Sequence, residues 1–161
     1  MEVHELYQIR RVSLNFAEEL EPLKCVKNLV IHHTEEMNWD IYKTHDYHLY
    51  DKNWSGIGYN YFIDGSIKQD GYIFEGRGLY KGAHTLGHNE TSIGICLSGN
   101  FDIHQPTKKQ MLALTWLCKK LMGEFGLLVK DIVGHRELGA KKSCPGKNFD
   151  LEQFRQSIAS L

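Results

Sequence analysis

The chain has 161 residues, the size of one domain, with 42% hydrophobic and 24% charged residues and a net charge of −1. That balance is ordinary for a folded domain and excludes disordered and fibrous classes. With no positive surplus and no basic stripe, neither nucleic acid nor an anionic membrane is an expected partner. The longest apolar run, Met111–Cys118, falls far short of the ~20 residues that span a bilayer, so no membrane insertion is expected. The opening Met-Glu-Val-His-Glu carries neither the basic nor the apolar stretch of a signal peptide.

In chain order, residues 1–22 read as an N-terminal extension packed on a core from about residue 23 to residue 161. Leu29–His32 is a short apolar strand. Ile41, His45 and Leu49 share one face of a helix expected from about Asn38 to Tyr50, which places His45 in the core. Trp54 reads as a core residue, and His88 and His104 as loop residues. Tyr59–Ile63, Tyr72–Glu75, Ser92–Leu97 and Ile132–His135 are further strands, with turns at Asp64-Gly65 and Asp70-Gly71. Glu75 and Arg77 read as a structural, hydrogen-bonded turn. Thr107 and Gln110 form a capping box, and Met111, Leu114, Cys118, Leu121, Met122 and Phe125 recur at helical spacing until Gly126 stops the helix. Asp150 caps a last helix carrying Leu151, Phe154, Ile158 and Leu161. Helices alternating with buried strands predict a single α/β domain: a mixed, mostly parallel sheet of about five strands with helices packed on its faces.

Four cysteines show no pairing pattern. Cys96 and Cys118 lie in apolar runs and read as buried small hydrophobes, and Cys25 is uninformative. Cys144 differs, lying in a loop before Pro145-Gly146. His32-His33 closes one strand and His135 another, at strand ends where open α/β sheets build sites. Two His and one Cys, with water in the fourth position, make a catalytic zinc set. A chain with nine His offers such a set by chance, so composition alone does not settle it.

The surrounding strings carry more. Val30-Ile31-His32-His33-Thr34, then Gly56-Ile57-Gly58-Tyr59-Asn60-Tyr61, then Phe74-Glu75-Gly76-Arg77-Gly78 follow one another in order. Gly82-Ala83-His84-Thr85 with Asn89, Ser92-Ile93-Gly94-Ile95, Gly134-His135-Arg136-Glu137 and Ser143-Cys144-Pro145-Gly146 complete the series. Together, over nearly the whole chain, they resemble the zinc amidases that share a fold with peptidoglycan recognition proteins and the bacteriophage lysozyme-type amidases.

The resemblance implies an N-acetylmuramoyl-L-alanine amidase, a peptidoglycan hydrolase holding one Zn²⁺ per chain. Carried over position by position, the zinc ligands fall on His32, His135 and Cys144, and the catalytic pair on Tyr59 and Lys142. Strand alternation lets only one of His32 and His33 reach the metal without saying which, and the choice of His32 comes from the resemblance. The nine positions from His135 to Cys144 are one more than in many relatives, which leaves Lys141 as a substitute for Lys142. His33, Thr34, His84 and Asn89 are expected at the substrate groove. The implied partner is peptidoglycan, glycan strand plus stem peptide, and the chain is expected to be a monomer. Its expected setting is the cell wall, reached from a host cytoplasm as a phage endolysin or from outside the cell.

Three rivals carry less. Recognition proteins that only bind the wall typically lack a cysteine at the position of Cys144. A cysteine hydrolase with Cys144 as nucleophile and His135 as base would need an adjacent base and an oxyanion hole; the sequence gives no further reason to prefer it, and the resemblance counts against it. A structural zinc site generally closes with four protein ligands.

Overall fold

The computed structural model describes residues 7–161; the start of the N-terminal extension, on which the signal-peptide expectation rests, lies outside them. One sheet runs through the molecule. Its strands are β1 (Ile9–Arg10), β2 (Asn28–His33), β3 (Tyr61–Ile63), β4 (Ile73–Glu75), β5 (Ser92–Leu97) and β6 (Ile132–Gly134), in the order β1-β4-β3-β5-β2-β6. Only the β3–β4 pair is antiparallel. The sixth strand, beyond the expected five, comes from the N-terminal extension: Ile9 and Arg10 pair with Ile73 and Phe74 at the sheet edge. Two residues show too little periodicity for a sequence to announce them.

Alternation along the strands sorts the side chains onto two faces. Leu29, Ile31, Ile93, Ile95 and Leu97 pack against the larger core cluster, which is completed by α2 (Lys108–Phe125) and α3 (Leu151–Ala159). Phe62, Phe74 and Cys96 face the other way, onto Ile41 and Ile57 beside the short helix α1 (Ile41–Asp46). Cys96 and Cys118 are fully buried, as expected.

The capping chemistry matches the sequence. Thr107 Oγ1 accepts from Gln110 N and Gln110 Oε1 accepts from Thr107 N, both at 3.0 Å, while Gly126 closes α2 in a left-handed conformation with φ of 66°. Asp150 caps α3 through Gln153 N. The turns at Asp64 and Gly71 join β3 to β4, with Gly71 N donating to Asp64 O.

Several boundaries differ from expectation. The helix expected over residues 38–50 is α1 followed by a π-helical turn, Tyr47–Asp51. That widened turn lets His45 and His48 both face the strand-entry loop, where His45 Nδ1 accepts from Ile57 N at 3.0 Å and His48 Nδ1 from Gly58 N at 2.9 Å. His45 is buried as expected, but through a polar role. Trp54, expected in the core, is 38% exposed against the His48 ring. Arg77 is structural, donating to Ile57 O and Lys81 O, but its partner is not Glu75, which pairs with Arg11. β3 begins at Tyr61 because Tyr59 and Asn60 send their carbonyls to Arg77 N and to Gly76 N and Gly78 N.

A candidate metal centre at the ends of β2 and β6

His32 lies near the C-terminal end of β2, on the α1 side of the sheet, paired with Cys96 of β5. β6 runs parallel to β2, with Gly134 opposite Ile31, so the next residue, His135, emerges beside His32. Their ring centroids lie 4.6 Å apart. β6 stops there because a 3₁₀ turn, His135–Leu138, takes over, which shortens the expected strand by one residue.

Cys144 arrives from a loop fastened by the residue after the second histidine. Arg136 donates to Ser143 O, Gly146 O and Phe149 O, and its own amide donates to Cys144 O. Asp102 holds the same loop from outside, accepting from Ser143 Oγ and Lys147 N. The result is a triad whose ligating atoms lie within 4.8 Å of one another. Cys144 Sγ is 3.6 Å from His32 Nδ1. Tetrahedral zinc with bonds of ~2.0–2.3 Å separates an N and an S donor by roughly 3.6 Å. The residues fit the ion.

The electrostatics agree. Burial pushes His32 well below the ordinary imidazole range, reinforced by neighbouring His84 and His135, and burial lowers His135 too. Both rings are therefore neutral and present lone pairs. Burial drives the Cys144 thiol up to about 12 when no cation compensates it. A bound dication reverses that preference and favours the thiolate.

The triad opens onto a cleft of about 580 Å³. Tyr59, His48, Trp54, Trp39 and Tyr47 form an aromatic wall, and Glu35 and Lys142 stand at the rim. Tyr59 is packed against His32 with centroids 5.2 Å apart, and burial raises its hydroxyl well above the usual phenol range, so it stays a donor. Lys142, not Lys141, lines the cleft; its Nζ lies 3.9 Å from Glu35 Oε2. A larger cleft of about 720 Å³ lies between α2 and α3, but no His or Cys lines it.

The expected substrate residues divide. Thr34 lines the cleft while its hydroxyl accepts from Gly99 N. His33 also lines the cleft, but its Nδ1 accepts from Phe101 N, and it is His32 whose ligating atom joins those of His135 and Cys144. His84 touches the cleft but turns its ring onto His32, with 2.9 Å between His84 Nδ1 and His32 Nε2. Asn89 is not at the groove: its Oδ1 accepts from His84 N and Thr85 N, fixing the turn between them. Its short amide favours such local backbone bonds over reaching the groove. Sequence reasoning missed His48 and Arg136. The only sequence trace of either role is helical spacing from His45 and adjacency to His135.

Comparison with known proteins agrees with this geometry. The sequence model of a family described as N-acetylmuramoyl-L-alanine amidase matches residues 22–147. A human N-acetylmuramoyl-L-alanine amidase is 39% identical over 109 residues, 65% of this chain and 18% of that protein. The endolysin of Enterobacteria phage K11 is 34% identical over 110 residues, 65% of this chain and 67% of the phage protein. The chain spans about half the length of several insect peptidoglycan-recognition proteins that it matches. Among solved structures, the endolysin amidase LysCS from Clostridium intestinale URNW superposes with a TM-score of 0.86 at 30% identity, covering 94% of this chain and 95% of that one. On the match over residues 22–147 and the likeness to LysCS, the chain belongs to the N-acetylmuramoyl-L-alanine amidase family.

Proposed function

We propose that this chain hydrolyses peptidoglycan at the amide between N-acetylmuramic acid and the L-alanine of the stem peptide, with Zn²⁺ held by His32, His135 and Cys144. The observation that carries the reading is the neutral two-imidazole, one-thiol triad at the floor of an open aromatic cleft. Three protein donors leave one tetrahedral position for reacting groups, the pattern of catalytic rather than structural sites. Bound there, Zn²⁺ supplies Lewis acidity toward a carbonyl and acidifies water. The names of the insect and phage relatives support peptidoglycan as substrate and the bacterial wall as the place of action.

The protein's own groups do the rest. The aromatic wall takes the apolar faces of the sugar and peptide and excludes water from the reacting amide. Tyr59, kept protonated, donates a hydrogen bond to the oxygen that gains charge as the amide is attacked. Lys142 is exposed at the rim, so its ammonium can swing from Glu35 toward that charge. Glycoside hydrolysis instead needs two carboxylates flanking the bond. The acids lining the cleft, Glu35 and Glu36, are neighbours in the chain, and Glu35 is already paired with Lys142.

Labelling free amines and reducing ends in digested cell walls tests the bond cleaved. New N-terminal L-alanine without new reducing sugar is expected. Reducing ends without new alanine amines would make the protein a glycosidase and overturn the assignment.

A further inference from the structure

A metal-ligating histidine is held in orientation by what its other ring nitrogen touches, commonly a carboxylate, a carbonyl or water. At His32 that partner is a second imidazole. Nδ1 of His32 faces Cys144 Sγ, while Nε2 turns into the protein, 2.9 Å from His84 Nδ1 and 3.3 Å from Thr85 Oγ1. The two rings stand nearly perpendicular, at 88°.

The hydrogen bonds running away from this contact have one sense. The His88 carbonyl can only accept, so Ser92 Oγ, 2.6 Å away, must donate to it. Ser92 Oγ therefore receives the proton of His84 Nε2 at 3.4 Å. That leaves His84 Nδ1 bare; Thr85 Oγ1 also lies 2.9 Å from it, but two bare nitrogens repel across 2.9 Å, so His32 Nε2 carries the proton. His32 Nδ1 is then bare on the side of Cys144 and His135. The direction, worked from a backbone carbonyl far from the triad, ends on the tautomer that a metal ligand needs.

The fold also builds a socket for the His84 ring. A Cβ on Gly94, in the middle of β5, would lie 2.5 Å from His84 Cγ, and one on Gly82 would lie 2.7 Å from His84 Cδ2. A glycine inside an apolar strand otherwise weakens it, and here it admits the ring. Asn89 pins the backbone of His84 and Thr85 from the other side.

We propose that His84 is the positioning residue of the metal site, holding His32 through Ser92 and the His88 carbonyl in the tautomer whose bare Nδ1 faces the ion. The proposal rests on His32, His135 and Cys144 being a zinc site. It gives His84 a task besides lining the groove, and it makes Gly94 and Ser92 part of the metal centre.

Two measurements on the full chain test it. In ¹⁵N-labelled, zinc-loaded native protein, long-range ¹H–¹⁵N correlation of the imidazoles should show both His32 and His84 protonated at Nε2. A merely packed ring has no such requirement, and a His84 proton on Nδ1 overturns the proposal. Zinc affinity by chelator competition should fall about 10–100-fold in His84→Leu, the range typical of lost outer-shell partners, and largely recover in His84→Asn, whose side-chain oxygen reaches the place of Nδ1. Native affinity in His84→Leu overturns the proposal; if that variant does not fold, the native spectrum decides. Native protein that binds no zinc would overturn the metal reading itself, whereas zinc bound beside a wrongly protonated His84 overturns this inference alone.

Discussion

Removing zinc should silence the protein without unfolding it. The larger core cluster, built from the strands, α2 and α3, contains none of the three ligands, so its burial does not depend on the metal. Zinc then acts on stability only by mass action, because it binds the native triad and not the dispersed residues of the unfolded chain. At free zinc 1,000-fold above its dissociation constant, that linkage is worth about 4 kcal/mol. For a domain of this size each kcal/mol moves Tm by ~2–4 °C, so chelation should lower Tm by roughly 8–16 °C while far-ultraviolet circular dichroism stays unchanged. Cys144→Ser sharpens the test. Its thiol is 7% exposed and 3.6 Å from His32 Nδ1, and a serine hydroxyl there is shorter and does not ionise to a thiolate-like ligand. The zinc-induced rise in Tm should largely vanish in this variant, along with activity. Cys118→Ser is the control: it alters a fully buried thiol inside α2, lowers Tm, and leaves the zinc-induced rise intact. Differential scanning calorimetry of the native protein and both variants, with and without chelator, reads all six states. Full activity in chelated protein, or an undiminished zinc response in Cys144→Ser, would refute the reasoning.

Tyr59→Phe should lower kcat by ~10²–10³, the usual cost of one oxyanion donor, with zinc still bound; lost zinc would mean that Tyr59 serves the metal instead. Asn60 is fully buried, donating to Gly78 O and Tyr80 O and accepting from Gly94 N at 2.7–2.8 Å. Asn60→Ala strands these groups at ~1–3 kcal/mol each, and partial hydration near Tyr80 brings the expected loss in urea unfolding to about 4 kcal/mol. A loss below about 1 kcal/mol would show that the loops do not depend on that amide. Burial brings His48 down to about 4, against an unfolded value near 6.5, so below pH 6.5 the unfolded chain binds a proton that the native chain refuses. Stability should therefore fall by up to about 3 kcal/mol between pH 6.5 and pH 4. His48→Asn, which keeps an acceptor for Gly58 N but does not titrate, should flatten that slope by about one proton; an unchanged slope would place the linkage elsewhere.

What the sequence determined by itself lies where information is local. Capping residues, an αL glycine and the 3.6 period bound α2 at both ends and α3 at its start, because Thr107, Gln110, Gly126 and Asp150 act within one turn of their own helix; α3 stops at Ala159, leaving Leu161, expected on its packed side, exposed beyond it. The apolar runs at Leu29–Ile31 and Ser92–Leu97 announce central strands, since both faces of those strands are covered. The ordered strings around His32, Tyr59, His135 and Cys144 pointed to a family, although no spacing between them could say that they meet. Only the tertiary structure decided that. Parallel pairing of β2 with β6 sets His135 beside His32, and Arg136 folds the loop that delivers Cys144. The edge strand at Ile9, the polar tasks of His45 and His48, and the turning of Asn89 away from the groove were equally illegible. Each depends on a partner many residues away, whose position exists only after the chain has folded. The choice between His32 and His33 shows the boundary most plainly: alternation dictates that they point apart, but which of them joins His135 and Cys144 is settled only in the fold, where the Phe101 amide holds the His33 ring and β6, parallel to β2, brings His135 beside His32.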